Sequence, residues 1–235
     1  MNLLMLSDVS FSIGQTNILN NISFDSDHRR IGVVGRNGSG KSTLARLLCG
    51  LVAPTSGKLS VAGIDVANDR RNAIRTVGML FQNPDHQIIF PTVEEELVFG
   101  LRQLGQSPAD AKTAALAMLE KFECSQWASQ SVSTLSQGQR HLVCLLAVLL
   151  MQPKVVVLDE PYAGLDIPTT MQLKRTLEAI DAAVVHISHD PAMLANYDHV
   201  LWMERGKIEA QGMPAETLNA FSERMLQIGT THALV

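Results

Sequence analysis

GRNGSGKST, Gly35–Thr43, fits the phosphate-loop pattern G-x-x-x-x-G-K-[ST], and its surroundings fit too. An apolar run, Ile31–Val34, precedes it, and Lys41–Cys49 reads as the helix that follows. Gly35, Gly38 and Gly40 free the backbone to turn tightly and aim its N–H groups at phosphate oxygens. Asn37, Ser39 and Thr43 belong to the same cradle, and the helix start adds the positive end of its dipole. Lys41 is expected on the β/γ oxygens and Ser42 on a Mg²⁺ ion. A chance glycine-rich turn is the bland alternative, and the strand-loop-helix context argues against it.

Outward from the loop, short β-branched runs alternate with helical stretches, the pattern of an α/β domain with a mostly parallel sheet. Val77–Phe81, Val155–Leu158 and Ala183–Ile187 join Ile31–Val34 as buried strands, and Gln137–Leu150 and Ile167–Ile180 as helices. Leu3–Ser26 and Gly57–Asp65 read as antiparallel strands. Glu94–Glu123 carries two helices within a helical subdomain of roughly residues 84–150, and a short helix, Ala215–Leu226, follows the main domain of residues 1–212 in a closing segment of residues 213–235.

VVVLDE, Val155–Glu160, is an apolar strand ending in two carboxylates. At a strand end the chain turns, so both can face the phosphates. Asp159 is then expected on the metal shell and Glu160 on the attacking water. Past the next strand, His189 lies where a γ-phosphate could be reached, while His186 alternates into the sheet packing.

The bulk composition excludes several classes. The chain has 235 residues, 46% hydrophobic and 18% charged, with a net charge of −4. That fits a globular α/β protein and gives no electrostatic reason to expect nucleic acid as a partner. Three scattered cysteines offer neither a disulfide framework nor zinc spacing. The opening residues lack a basic flank, so a signal peptide is not expected. The longest apolar run, Leu142–Met151, is about half the roughly twenty residues of a spanning helix.

LSQGQR, Leu135–Arg140, is similar to the signature of the ATPase subunits of ABC transporters, commonly Leu-Ser-Gly-Gly-Gln. The resemblance covers most of the chain, up to about Gly212. It implies the ABC ATPase fold: a P-loop NTPase core with an antiparallel β subdomain and a helical subdomain. It implies a two-subunit sandwich around two Mg-ATP molecules, as a homodimer or a heterodimer with a paralogous ATPase, in which Ser136, Gly138 and Gln139 address the nucleotide on the opposite phosphate loop. By the same resemblance Phe11 stacks on adenine, Gln82 senses Mg²⁺, Asp166 is the D-loop aspartate and His189 the switch histidine. Gln137 and Leu142 depart from the family, which commonly has Gly and Arg there.

FQNPDHQIIFPTVEEELVFG, Phe81–Gly100, resembles the corresponding region of ATPases in energy-coupling-factor importers of vitamins and transition-metal ions. This implies a membrane coupling protein and a substrate-binding membrane protein as partners, and a peripheral place on the cytoplasmic face of the cell membrane. Asp85 and Glu94–Glu96 are expected to meet arginines of the coupling protein, with simple helix-dipole complementarity as the plain alternative. The short segment after Gly212 resembles the ATPase of biotin systems, with cobalt and nickel systems next. A soluble ABC ATPase acting on nucleic acid or ribosomes is the competing reading. Such proteins usually hold two cassettes or a coiled-coil or zinc insertion, whereas this sequence shows one cassette and no heptad run, zinc spacing or basic patch. A kinase or GTPase would leave LSQGQR without a role.

Overall fold

The computed structural model describes residues 2–231; the rest of the segment expected as a tail, residues 232–235, lies outside the described residues. The chain opens with β1 (Leu4–Ile13) and β2 (Thr16–Ser26), followed by β3 (Arg30–Gly35), α1 (Lys41–Leu48) and β4 (Ser56–Val61). Then come α2 (Arg70–Thr76), β5 (Val77–Leu80), α3 (Val93–Gln103), α4 (Pro108–Lys121) and α5 (Gln137–Leu150). The second half holds β6 (Val155–Asp159), α6 (Ile167–Glu178), β7 (Ala183–Ser188), β8 (His199–Glu204), β9 (Lys207–Gly212) and α7 (Pro214–Thr231).

Two sheets result. A three-stranded antiparallel sheet runs β2-β1-β4, and a six-stranded sheet runs β5-β6-β7-β3-β8-β9. In the larger one every pairing from β5 to β8 is parallel and only β9 is antiparallel. The four expected strands are its β5, β6, β7 and β3, while β8, β9 and α2 extend the expected set. Its central strands are covered on both faces, which is why they read as unbroken Val/Ile/Leu runs rather than alternating ones.

The helices between residues 84 and 150 share their own core. Val93, Leu97 and Leu101 of α3 meet Ala111, Ala115 and Leu119 of α4 and Leu142, Val143 and Leu146 of α5. Leu142 is thus 3% exposed inside this helical lobe, where an apolar side chain is the favoured occupant. Each helix starts on a side-chain cap: Thr92 and Glu95 form a capping box on α3, Ser107 caps α4, and Ser136 with Gln139 boxes α5. Such caps contribute about 1 kcal/mol each. The last helix is longer than the expected 215–226. Its Leu218 and Phe221 close over Val34, Val200 and Trp202, with the Phe221 and Trp202 rings edge to face at 5.7 Å.

Candidate functional site

Four neighbouring strands of the large sheet, β5, β6, β7 and β3, end on the same edge. Beyond those ends lie Gln82, then Asp159 and Glu160, then His189, then the 35–43 loop. Ligand sites of open α/β sheets lie beyond the carboxyl ends of the strands. Here a cleft of about 400 Å³ is lined by Asn37, Gly38, Gly40, Lys41, Ser42, Thr43, Gln82, Asp159, Glu160 and His189, with Ile18 as its apolar wall. A larger cleft of about 880 Å³ lies at the opposite, starting ends of β6 and β7, and no expected site residue lines it.

The loop takes its shape from two requirements. Gly38 (φ 78°) and Gly40 (φ 103°) occupy the left-handed region that side chains avoid. At Gly35 a Cβ would stand 2.3 Å from the Met203 carbonyl and 2.7 Å from Ser39 Oγ, so only glycine fits. Lys41 Nζ donates to the carbonyls of Gly35 (2.8 Å) and Arg36 (3.0 Å) and is 7% exposed. Burial lowers its pKa, while the charges of Glu160, Asp159 and Glu204 pull it back up. Ser42 donates from Oγ to Asp159 Oδ1 at 3.3 Å. Burial raises the Asp159 pKa, opposed by that hydrogen bond and by the Lys41 and Arg46 charges.

Glu160 follows β6 with φ 51°, an uncommon value for a side-chain-bearing residue. That turn brings both carboxylates to the cleft: Asp159 toward Ser42, and Glu160 onto His189 Nδ1 at 2.8 Å. His189 is open to solvent, whereas His186 is 1% exposed and bonded to the Tyr197 hydroxyl at 2.7 Å. The two histidines divide as expected, but because β7 is buried on both faces and His189 lies just past its end, not because of alternation along the strand.

Phe11, Ser136, Gly138, Gln139 and Asp166 do not line the cleft. Phe11 is half-buried against the core, and Ile18, which the sequence reading missed, stands in the cleft wall instead. Asp166 caps α6, accepting from the Thr169 N–H at 2.9 Å, and its hydrogen bonds to Thr169 lower its pKa. At the signature, a Cβ on Gly138 would stand 2.6 Å from Thr169 Cγ2, so this glycine admits the close approach of α5 to α6. The Gln137 carboxamide lies over Gly164, whose Cβ would come within 3.2 Å of it.

Of the acidic run 94–96, expected to meet partner arginines, Glu96 is turned inward and unavailable to them, while Glu94 and Glu95 have local partners. Glu96 is 7% exposed and accepts the Ile89 and Phe90 N–H groups at 3.0 and 2.9 Å. Glu94 pairs with Lys112 at 2.8 Å, and Glu95 closes the α3 capping box. Asp85 also keeps an exposed carboxylate, and it pairs with Arg140.

Comparison with known proteins identifies the family. The family described as ABC transporter matches residues 19–163. The biotin transport ATP-binding protein BioM of Rhodobacter capsulatus is 46% identical over 210 residues, covering 89% of this chain and 90% of that protein. The cobalt import ATP-binding protein CbiO of Syntrophus aciditrophicus is 36% identical over 199 residues, covering 82% and 71%. Among solved structures, cbiO1 of Clostridium perfringens, described as part of the ABC transporter complex cbiONQ, superposes with a TM-score of 0.80 at 25% identity, covering 98% of this chain and 95% of that one. Within its family the chain therefore resembles the ATPases of energy-coupling-factor importers in the biotin and cobalt group. It belongs to the ABC transporter family as an ATP-binding subunit, an ATPase.

Proposed function

We propose that this chain is the motor of an importer that takes up biotin or, in second place, a transition-metal ion, working as one of two ATPase subunits beneath membrane partners. The observation that carries the reading is the convergence of four adjacent strand ends on one cleft, with Lys41, Ser42, Asp159, Glu160, Gln82 and His189 around it. The ATPase unit is residues 1–212, its helical subdomain residues 84–150, and residues 213–235 are a closing helix and tail. Its place is peripheral, on the cytoplasmic face of the membrane. Among the described residues no helix is long and apolar enough to cross one.

The donor set suits Mg²⁺. One carboxylate, one hydroxyl and an amide offer hard oxygens, and Mg²⁺ characteristically completes its shell with phosphate and water rather than with a protein cage. Asp159, Ser42 and Gln82 would hold it, and when bound it neutralises charge on the β- and γ-phosphate oxygens. Backbone N–H groups of 35–43, with Lys41, hold the triphosphate, and Phe11 stacks on adenine. The Glu160 carboxylate orients a water and takes its proton as the water oxygen bonds to the γ-phosphorus and the bond to the ADP oxygen breaks. His189, bonded to Glu160, fixes that carboxylate and faces the γ-phosphate. Ser136, Gly138 and Gln139 close the nucleotide of a second subunit, and Asp166 lies at that same junction.

The test is purification of the tagged chain from native membranes, followed by reconstitution and uptake assays with labelled biotin, cobalt and nickel. Recovery of a polytopic coupling protein and a small substrate-binding membrane protein, with uptake abolished by Glu160→Gln, is expected. Recovery of ribosomes or soluble partners alone overturns the importer reading.

A further inference from the structure

The signature and the Gln82 segment are far apart in sequence, and one side chain bridges them. Arg140, in the first turn of α5, donates from Nη1 to the Leu135 carbonyl at 2.9 Å. Its Nε lies 3.1 Å from Asp85 Oδ1. Leu135 immediately precedes Ser136. Asp85 lies three residues after Gln82 and is held in turn by Asn83, whose side chain accepts the Asp85 N–H at 2.9 Å.

The burial is unequal. The Arg140 side chain is 23% exposed and its Nε is shielded from water with no acceptor in line with its N–H, so Asp85 is the counter-charge beside it. Asp85 is 61% exposed and can be drawn away from outside. Removing one partner of a shielded pair leaves the other charge uncompensated, so Arg140 would follow Asp85 or swing out to water. Either movement releases the Leu135 carbonyl. The contact behind it is firm: His141 is 0% exposed, packed against the backbone of Phe81 and Gln82.

We propose that Arg140, held by Asp85, is a positioning residue that couples the Gln82 segment to the Ser136 loop. A contact that moves Asp85 then sets whether Ser136 can close on a second subunit's nucleotide. Lysine cannot replace this arginine, because a single ammonium lacks the fork that reaches a carboxylate and a carbonyl at once. The inference rests on the proposed role of Ser136.

Two measurements test it. The first needs no dimer: amide hydrogen exchange of residues 135–139 in the wild type, Asp85→Asn, Arg140→Lys and Arg140→Ala. Faster exchange is expected in all three variants, and unchanged exchange in Asp85→Asn overturns the link. The second follows ATP-driven self-association in a Glu160→Gln background alongside binding of a fluorescent ATP analogue. Nucleotide affinity is expected to stay within about twofold, while self-association weakens about tenfold. Asp85→Asn with Arg140→Ala should be no worse than either alone, as for residues acting as one unit. Additive losses, or equal losses in nucleotide affinity, overturn the coupling. Ser136→Ala is the control: if it leaves self-association intact, the reading of the signature fails, and the exchange experiment still decides the link.

Discussion

Glu160 sits in the left-handed region at φ 51°, a conformation that costs a non-glycine residue about 1–2 kcal/mol. The chain tolerates it because the turn delivers the carboxylate to His189 while Asp159 faces Ser42. Strain of this kind gathers where geometry serves chemistry. Glu160→Gln keeps the shape and removes the base, so turnover is expected to fall about 10²–10⁴-fold with Mg-ATP binding retained. Steady-state phosphate release beside equilibrium binding checks this, and an unchanged rate would remove Glu160 from its proposed role. The residue pair itself was legible in VVVLDE, since an apolar strand ending in two acids after a phosphate loop has few other uses. The backbone angle that separates their duties was not, because nothing in Asp-Glu-Pro encodes which acid turns where.

At the scale of elements, the start of α3 shows local chemistry and tertiary contact competing for the same residues. Three consecutive glutamates look alike in sequence, yet they do three different things. Glu95 caps its own helix, Glu94 reaches α4, and Glu96 is folded inward to satisfy two backbone N–H groups of the preceding loop. Hydrogen bonds to a charged acceptor are worth about 1.5–3 kcal/mol, and their loss leaves buried donors unpaired. Glu96→Ala is therefore expected to destabilise the chain by about 2–4 kcal/mol in urea unfolding, whereas Glu95→Ala costs about 1 kcal/mol. Equal small losses in both would show that the Glu96 carboxylate is not holding the loop. Helix existence here followed from the sequence pattern, which is local. The inward turn of Glu96 depended on where residues 88–90 pass, which is not.

For the whole molecule, His186 ties stability to pH. It lies in β7 at the centre of the large sheet, beside Tyr162 and Tyr197. Burial, with a smaller push from the Lys174 charge, takes it from 6.5 down to about 3. Between those values the unfolded chain binds a proton that the folded chain excludes, so stability falls as pH falls. From about pH 7 to about pH 5 this residue removes about 2 kcal/mol of unfolding free energy. His186→Gln is expected to start less stable and to lose about 2 kcal/mol less than the wild type over that interval, read from urea midpoints. Parallel losses in the two proteins would mean that His186 is not the responsible group.

What the sequence by itself determined is everything written in contiguous residues: the phosphate loop, the carboxylate strand, the signature and the alternation of strand and helix. Each is local because a strand, a turn and a helix start are set by neighbours a few residues apart. Even the difference between His186 and His189 was of this kind, since one lies within the apolar run of β7 and the other just past its end. The tertiary structure alone decided the strand order β5-β6-β7-β3, which gathers Gln82, Asp159, Glu160 and His189 beside Lys41. It also decided that Leu142 serves a lobe core, that Gln137 lies over Gly164, and that Asp85 answers Arg140. Those are pairings between distant residues, and burial and charge compensation select them only once the whole chain has closed.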